Sequence, residues 1–217
     1  MKFKYFFFDM DGTVTESRQI IKQDMKDALA KLPHVILISG AERSQMLTQL
    51  DGLGLTYVMA QSGNDTSPFW YHELKEKEIA EATAHMKRMT AIGPDMVENR
   101  GCQITLSLTG HHAPIPVKKN FDPSRKKRNT LLFKFPFKSK TLACRVAGTT
   151  CFDYTRKEGT KGKNIQRLIE ALGWKKEDCV YLGDALFKGG NDESVIGVIP
   201  TIQVKNPADT ISIIKSL

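Results

Sequence analysis

Residues 6–15 read Phe-Phe-Phe-Asp-Met-Asp-Gly-Thr-Val-Thr. The largely apolar run of residues 3–8 lacks a helical repeat and ends in turn chemistry, which predicts a short buried strand. In a parallel sheet, the place for chemistry lies just beyond a strand's carboxyl end, where Asp9 and Asp11 stand. Alternate residues of an extended chain face the same way, so one divalent cation would serve both carboxylates. Taken alone, such a segment is more often a solvated turn after a strand.

The bulk composition indicates an ordinary globular protein. The 217 residues suffice for one large domain or for a core with a smaller insert. No stretch has the length of a membrane span, and the apolar start is too short for a signal peptide. We therefore expect a cytoplasmic protein with no membrane partner. The cysteines lack metal-type spacing, which predicts reduced thiols and neither zinc nor disulfides; they are Cys102, Cys144, Cys151 and Cys179.

The positive charge is concentrated in one segment. The net charge is +8, and residues 118–145 hold ten Lys or Arg residues with a single acid, Asp122. Such a segment suits a polyanion-binding surface, a pocket for a phosphorylated small molecule, or a solvated face. A polyanion-binding protein would show steeply salt-dependent binding but has no use for clustered carboxylates, so nucleic acid is not the expected partner.

The order of the predicted elements indicates an α/β fold with an insert. Strands at 35–38 and 56–60 alternate with helices at 20–32 and 42–50, and the rhythm resumes after residue 162, which predicts a parallel sheet with crossover helices. The intervening region mixes a helix at 78–89 and a basic helix at 123–132 with predicted strands at 102–108, 133–137, 142–147 and 150–154. We therefore predict a Rossmann-like core (1–80 and 156–217) and an inserted α+β cap domain (81–155).

Four short motifs stand at predicted strand ends or helix starts. They are Asp9-Met10-Asp11-Gly12-Thr13, Ser39-Gly40, Lys161-Gly162, and Gly183-Asp184 followed by Gly189-Gly190-Asn191-Asp192. In this order and context, the set resembles the haloacid dehalogenase (HAD) superfamily of phosphotransferases. The insert between the second and third motifs resembles the α/β-capped branch, subfamily IIB, which holds sugar phosphatases and eukaryotic-type phosphomannomutases.

Phosphoryl transfer to a carboxylate requires a nucleophile aligned with phosphorus and a cation for the oxygens. Asp9 is the predicted nucleophile, with its second oxygen on the metal. Asp11 is expected to offer its backbone carbonyl to the metal and to exchange a proton through its side chain, first with the leaving oxygen and then with the incoming water or hydroxyl. Asp184 is the third predicted metal ligand, and this oxygen-only set predicts Mg²⁺.

Further residues are expected to support the phosphoryl group. Ser39 and Gly40 would bind phosphate oxygens, helped by amides at the following helix start, although a plain helix cap is the alternative for this pair. Lys161 would offset the negative charge, and Lys163 is the rival for that role. The resemblance favours Lys161 through its Lys-Gly step. Asn191 and Asp192 are expected to orient metal-bound waters or the lysine.

The resemblance also implies where substrate is recognised. Segments around Arg100 and Asp153 are similar to phosphomannomutase cap segments, and His111 stands where those enzymes carry an arginine. Two other positions depart from the family: Gly159-Thr160 replaces tryptophan-aspartate, and Ser62-Gly63 replaces asparagine-glycine. We assign Arg100, His111 and Asp153 to substrate contact.

The predicted function is a Mg²⁺-dependent phosphatase that works through an aspartyl-phosphate on Asp9. Its predicted substrate is a small phosphorylated metabolite, and a sugar phosphate is the favoured class. The alternative is a phosphomannomutase-type sugar phosphomutase. A mutase must hold a sugar bisphosphate by either end, and the missing cap arginine weakens that alternative unless other basic residues replace it: Arg100, Lys118, Lys119, Arg125 or Lys126. The sequence leaves the substrate and the oligomeric state open.

Overall fold

The computed structural model describes residues 2–217, which divide into two compact units. The larger unit comprises the described residues up to Tyr71 together with Gly159–Leu217, and the smaller unit is His72–Glu158. The predicted α/β class with an inserted α+β region is confirmed. The assignment of these units to catalysis and to specificity stays a prediction. Within residues 2–217, no helix is both long and apolar enough to cross a bilayer.

Strands and helices follow one another along the whole chain. The strands are β1 (Tyr5–Phe8), β2 (His34–Ile38), β3 (Tyr57–Met59), β4 (Asp65–Thr66), β5 (Trp70–Tyr71), β6 (Val97–Asn99), β7 (Ile104–Ser107), β8 (Leu142–Ala147), β9 (Cys151–Arg156), β10 (Cys179–Gly183) and β11 (Thr201–Gln203). The helices are α1 (Gln23–Leu29), α2 (Arg43–Leu50), α3 (Glu76–Met89), α4 (Ile115–Phe121), α5 (Lys126–Lys134), α6 (Lys161–Leu172) and α7 (Pro207–Ser216).

The larger unit is built on a parallel sheet in the order β11-β10-β1-β2-β3. Strand β1 is buried on both faces: Phe6 and Phe8 belong to one apolar cluster, and Phe7 belongs to the other. This two-sided burial explains why the strand is a continuous apolar run, as crossover helices cover both faces of a parallel sheet. Phe8 is in register with Leu37 and with Leu182. The segments after β1, β2 and β10 therefore emerge at one edge of the sheet.

The smaller unit contains an antiparallel sheet in the order β6-β7-β9-β8. One face packs with α3 in an apolar cluster that includes Met86, Leu106 and Phe152. The other face carries a polar row in register across the four strands, namely Glu98, Thr105, Asp153 and Arg145. The alternation of side chains along each strand separates the two faces.

The predicted strand at 133–137 is wrong, because α5 continues to Lys134 and the described residues 135–141, which lead to β8, contain no strand. Alternating phenylalanines suggested a strand, yet Phe133 is 87 % exposed. Leu131, Leu132 and Phe135 pack against the apolar cluster of the smaller unit instead. Their three-to-four-residue spacing is that of a helix face, so packing overrides the local alternation.

Candidate active site

Asp9 lies one residue beyond β1 and is 3 % exposed. Its amide donates to the Leu182 carbonyl at 2.9 Å, which fixes the backbone to the neighbouring strand. Carboxylate oxygens of Asp9, Asp184 and Asp192 all lie within 4.8 Å of one another. Gly12 has a φ of +87°, and a Cβ there would lie 2.7 Å from Oδ2 of Asp184. The glycine of the first motif therefore lets the turn approach the carboxylate of the fourth.

Lys161 enters this cluster from the first turn of α6. Its Nζ donates to Oδ1 of Asp9 and, at 2.7 Å, to Oδ1 of Asp192. Gly162 permits the approach of the helix, because a Cβ there would stand 1.8 Å from the Ser194 carbonyl oxygen. Lys163 is exposed. The geometry therefore favours Lys161 over its rival, and the Lys-Gly step has a steric reason.

Asp192 is fully buried, and both of its oxygens are engaged. Oδ1 accepts from Lys161 and from the Tyr181 hydroxyl at 2.7 Å, and Oδ2 accepts from the Ala185 amide at 3.3 Å. These contacts suit a residue that positions the lysine more than a direct metal ligand. Asn191 is exposed. Sequence reasoning missed Tyr181, whose only signal was a hydroxyl within a buried apolar strand.

The charges of the cluster are unbalanced, because the buried Asp9 and Asp192 and the partly buried Asp184 face one ammonium group. Burial, joined by the charges of Asp192 and Asp184, raises the pKa of Asp9 despite the attraction of Lys161. Burial alone would lower the pKa of Lys161, but Asp192 and Asp9 outweigh it and raise that pKa. Because excess negative charge in a buried site is costly, a bound cation would be strongly favoured. The oxygen-only donors are those that Mg²⁺ prefers, so Asp9 and Asp184 fit such an ion.

Asp11 lies outside the carboxylate cluster. Its Oδ1 accepts from the Arg18 amide at 3.0 Å and from Nε2 of the buried Gln49 at 3.1 Å. These bonds hold the side chain beside the chain that follows the turn. Gln49 is a second residue that sequence reasoning missed, because nothing distinguishes it from other polar residues on α2. The predicted backbone contact of Asp11 to a metal, and its proton transfer, stay predictions.

Two buried hydroxyls stand at the same edge of the sheet. Ser39 is 4 % exposed, and its Oγ accepts from the Ala41 amide at 3.1 Å. Since α2 begins only at Arg43 and its N-cap is Glu42, Ser39 is not its capping residue. Thr13 Oγ1 is buried and lacks a hydrogen-bond partner within residues 2–217. An unsatisfied buried hydroxyl is costly, so an oxyanion such as phosphate would suit this position.

The three predicted substrate contacts come together on the polar side of the smaller unit. Nε and Nη2 of Arg100 donate to Oε2 of Glu98 at 2.8 and 2.5 Å, and Nδ1 of His111 lies 3.4 Å from that oxygen. Burial lowers the pKa of His111 although Glu98 opposes the shift. Burial raises the pKa of Asp153, opposed by Arg100. Together with Arg145, these groups carry two guanidinium groups and two carboxyl groups, which leaves the face close to electrically balanced.

No protein-family model matches the chain. A phosphomannomutase from Schizosaccharomyces pombe is 26 % identical over 245 residues, covering 97 % of this chain and 92 % of that protein. Among solved structures, an IMP-nucleotidase from Plasmodium falciparum has a TM-score of 0.69 at 15 % identity. The alignment covers 99 % of this chain and 68 % of the nucleotidase chain. A HAD subclass IIB sugar phosphatase has a TM-score of 0.61 at 16 % identity, covering 97 % and 91 %.

These likenesses support the predicted fold class. The fold is that of the HAD-like phosphatases, as the four motifs predict. The relatives found by sequence are phosphomannomutases at low identity, and the structural neighbours include a subclass IIB sugar phosphatase, so both are enzymes.

Proposed function

We propose that the chain is a Mg²⁺-dependent phosphatase of a small phosphorylated metabolite, a sugar phosphate, and that it works through an aspartyl-phosphate on Asp9. The observation that carries the proposal is Lys161, buried between Asp9 and Asp192 with hydrogen bonds to both. A buried lysine that holds a buried carboxylate after a strand provides an oriented nucleophile next to a fixed positive charge.

The proposed reaction has two displacements at phosphorus. A carboxylate oxygen of Asp9 forms a bond to phosphorus while the ester P–O bond breaks, and Asp11 gives its proton to the leaving oxygen. Asp11 then takes a proton from water as the water oxygen attacks phosphorus, which releases inorganic phosphate and restores Asp9. Lys161, Ser39 and Thr13 offer positive charge or hydroxyl groups to the phosphoryl oxygens. When bound, Mg²⁺ neutralises the charge that develops on those oxygens.

We assign recognition of the rest of the substrate to the polar face of the smaller unit. Its acceptors and donors belong to Glu98, Arg100, Thr105 and Asp153. Neutral ligands rich in hydroxyl groups suit such a face, since each hydroxyl both donates and accepts a hydrogen bond. Burial lowers the pKa of His111, which favours the neutral imidazole, and a neutral imidazole is better matched to a hydroxyl than to a second phosphate.

A phosphomannomutase-type sugar phosphomutase is the second candidate, because the S. pombe relative matches almost end to end. A mutase needs a strong clamp for the phosphate that is not reacting. On this polar face, Arg100 is already paired with Glu98, and His111 replaces the expected arginine. The near balance of charge on the face favours the phosphatase.

Product analysis separates the two candidates. We expect mannose 1-phosphate, incubated with the protein, Mg²⁺ and a hexose bisphosphate activator, to release inorganic phosphate. Formation of mannose 6-phosphate without free phosphate would refute the phosphatase and establish the mutase. If the protein does not convert mannose 1-phosphate, phosphate release from a panel of phosphorylated metabolites under the same conditions identifies the substrate.

Metal binding should be measurable without any substrate. Mg²⁺ at a hundredfold excess over its dissociation constant is expected to raise the free energy of unfolding by about 2.7 kcal/mol. Asp184→Asn removes a ligand and part of the buried negative charge, so this increase should nearly vanish. Chemical denaturation with Mg²⁺ or with EDTA checks the result, with the exposed Asp27→Asn on α1 as the control. An equal Mg²⁺ response in Asp184→Asn would remove Asp184 from the metal site.

A further inference from the structure

Helices α4 and α5 and the segment after them carry a basic surface, which we define by its exposed lysines: Lys119, Lys126, Lys127, Lys134, Lys138 and Lys140. Between residues 99 and 152 the sequence contains one acidic residue, Asp122. The catalytic chemistry proposed above uses none of these lysines. The basic surface is therefore open to a role separate from catalysis.

The single acidic residue of this region, Asp122, is buried and forms its contacts inside the fold. Asp122 Oδ2 accepts from Nε of Arg128 at 2.9 Å, and both side chains are 1 % exposed. Asp122 also accepts the amides of Lys127 and Arg128, each at 3.1 Å. The first amides of α5 are thus occupied and are not available to an outside anion. The charge that this region presents to solvent is carried by its basic side chains.

Among residues 2–217, no acidic side chain forms an ion pair with these lysines. Within the described part of the chain, no ion pair is found for Lys119, Lys126 or Lys134. Lys127 has its ammonium 5.1 Å from the centre of the Phe121 ring, a contact that leaves its charge intact. Unpaired like charges on neighbouring helical turns repel one another. An external polyanion would relieve this repulsion.

Large apolar side chains are exposed in the same segment. Phe133 is 87 % exposed, Ile115 is 59 % exposed and Val117 is 50 % exposed. On α5, Lys126, Thr130 and Phe133 are spaced three to four residues apart, so they share one solvent-facing side of the helix. Helix α4 buries none of its residues. Water is an unfavourable environment for these apolar groups.

A cleft of about 470 Å³ lies between the end of α4 and the start of α5. It is lined by Asn120, Phe121, Asp122, Pro123, Ser124, Lys126, Lys127 and Thr130. The lining combines an aromatic ring, hydroxyl groups and two ammonium groups. This lining is suited to a ligand with an anionic headgroup next to apolar groups.

We propose that the basic surface docks on a bilayer that contains acidic phospholipid, as a peripheral contact. Lysines attract the anionic headgroups while exposed apolar side chains enter the boundary of the acyl region. Nucleic acid would use the lysines and Phe133 but not the aliphatic Ile115 and Val117. A second copy of the same surface would oppose like charges. The expectation of no membrane partner rested on the lack of a spanning segment, which a peripheral contact does not need.

Vesicle co-sedimentation tests the proposal with the full chain. We expect binding to vesicles of phosphatidylcholine mixed with phosphatidylserine, weakening as salt rises, and no binding to phosphatidylcholine alone. Each lysine near an anionic surface contributes about fivefold in affinity. The double change Lys126→Ala and Lys127→Ala should therefore weaken binding roughly 25-fold, and Phe133→Ser should weaken it roughly tenfold. The matched control is Lys175→Ala with Lys176→Ala, two exposed lysines of the larger unit.

Three results would overturn the proposal. The first is that the protein binds neutral and acidic vesicles equally well, or binds neither kind. The second is a loss in the Lys175 and Lys176 control as large as in the Lys126 and Lys127 variant. The third is that the chain binds single-stranded RNA or duplex DNA through these lysines but does not bind acidic vesicles. Circular dichroism of each variant separates lost binding from lost folding, and all the substituted side chains are exposed.

Discussion

Replacing Asp9 by asparagine is expected to abolish phosphate release, lowering turnover by roughly four orders of magnitude or more. The amide keeps the shape of the side chain and can still accept from Lys161, but it cannot attack phosphorus. The fold should survive, because burial and neighbouring carboxylates already disfavour the charged form of Asp9. The midpoint of unfolding without metal should stay the same or rise.

The measurement is inorganic phosphate release, with intact-mass analysis for a phosphorylated protein. Wild-type protein mixed rapidly with substrate should gain the mass of a phosphoryl group, and Asp9→Asn should not. Asp27→Asn, an exposed change on α1, is expected to keep full turnover. Turnover that persists in Asp9→Asn would overturn the aspartyl-phosphate mechanism, whatever the substrate.

Replacing Lys161 by methionine is expected to damage both turnover and stability. The change leaves the buried Asp9 and Asp192 without their shared cation. Removing one partner from a buried charge pair typically costs about 3–5 kcal/mol. Lys163→Met is the matched control, since Lys163 lies two residues along the same helix and is exposed. Turnover should fall sharply in Lys161→Met and remain near wild type in Lys163→Met.

The stability loss should depend on pH in a definite direction. Burial already raises the pKa of Asp9 above its unfolded value, and loss of the Lys161 ammonium removes the main opposing attraction. A group of this kind favours folding below its unfolded pKa and loses that contribution as pH rises through the folded pKa. With Lys161 in place the pKa of Asp9 is raised to about 8, and without it the pKa lies higher, so the two proteins diverge only as pH passes that value. The deficit of Lys161→Met, measured by urea unfolding in EDTA, should therefore be smaller near pH 6 than near pH 9. An equal deficit at both values would argue against a charge-based role.

Much of the fold follows from local patterns in the chain. The run of residues 6–8 predicts a strand buried on both faces, and the turn residues after it predict the strand end. Alternating strand and helix segments predict the parallel sheet and its antiparallel insert. Local patterns fail where packing decides, as at Phe133, where a helix face displaces the strand that alternating phenylalanines suggest.

The candidate site shows the same division. Through their resemblance to the HAD superfamily, the motifs at predicted strand ends and at a helix start predict Asp9, Lys161 and Asp184 as site residues. Tyr181 and Gln49 become visible only in the folded chain, since an apolar strand and a polar helix conceal them among ordinary residues. Their roles depend on contacts between segments far apart in sequence.

The sequence by itself determined which residue types stand after each strand, and hence the class of chemistry expected there. The tertiary structure decided which of them meet. It assigned the buried ammonium to Lys161 and not to Lys163, because only one side of α6 faces the carboxylates. It also set Asp192 between Tyr181 and Lys161, where both of its oxygens are engaged. Such choices depend on distances across the sheet edge, which no local pattern encodes.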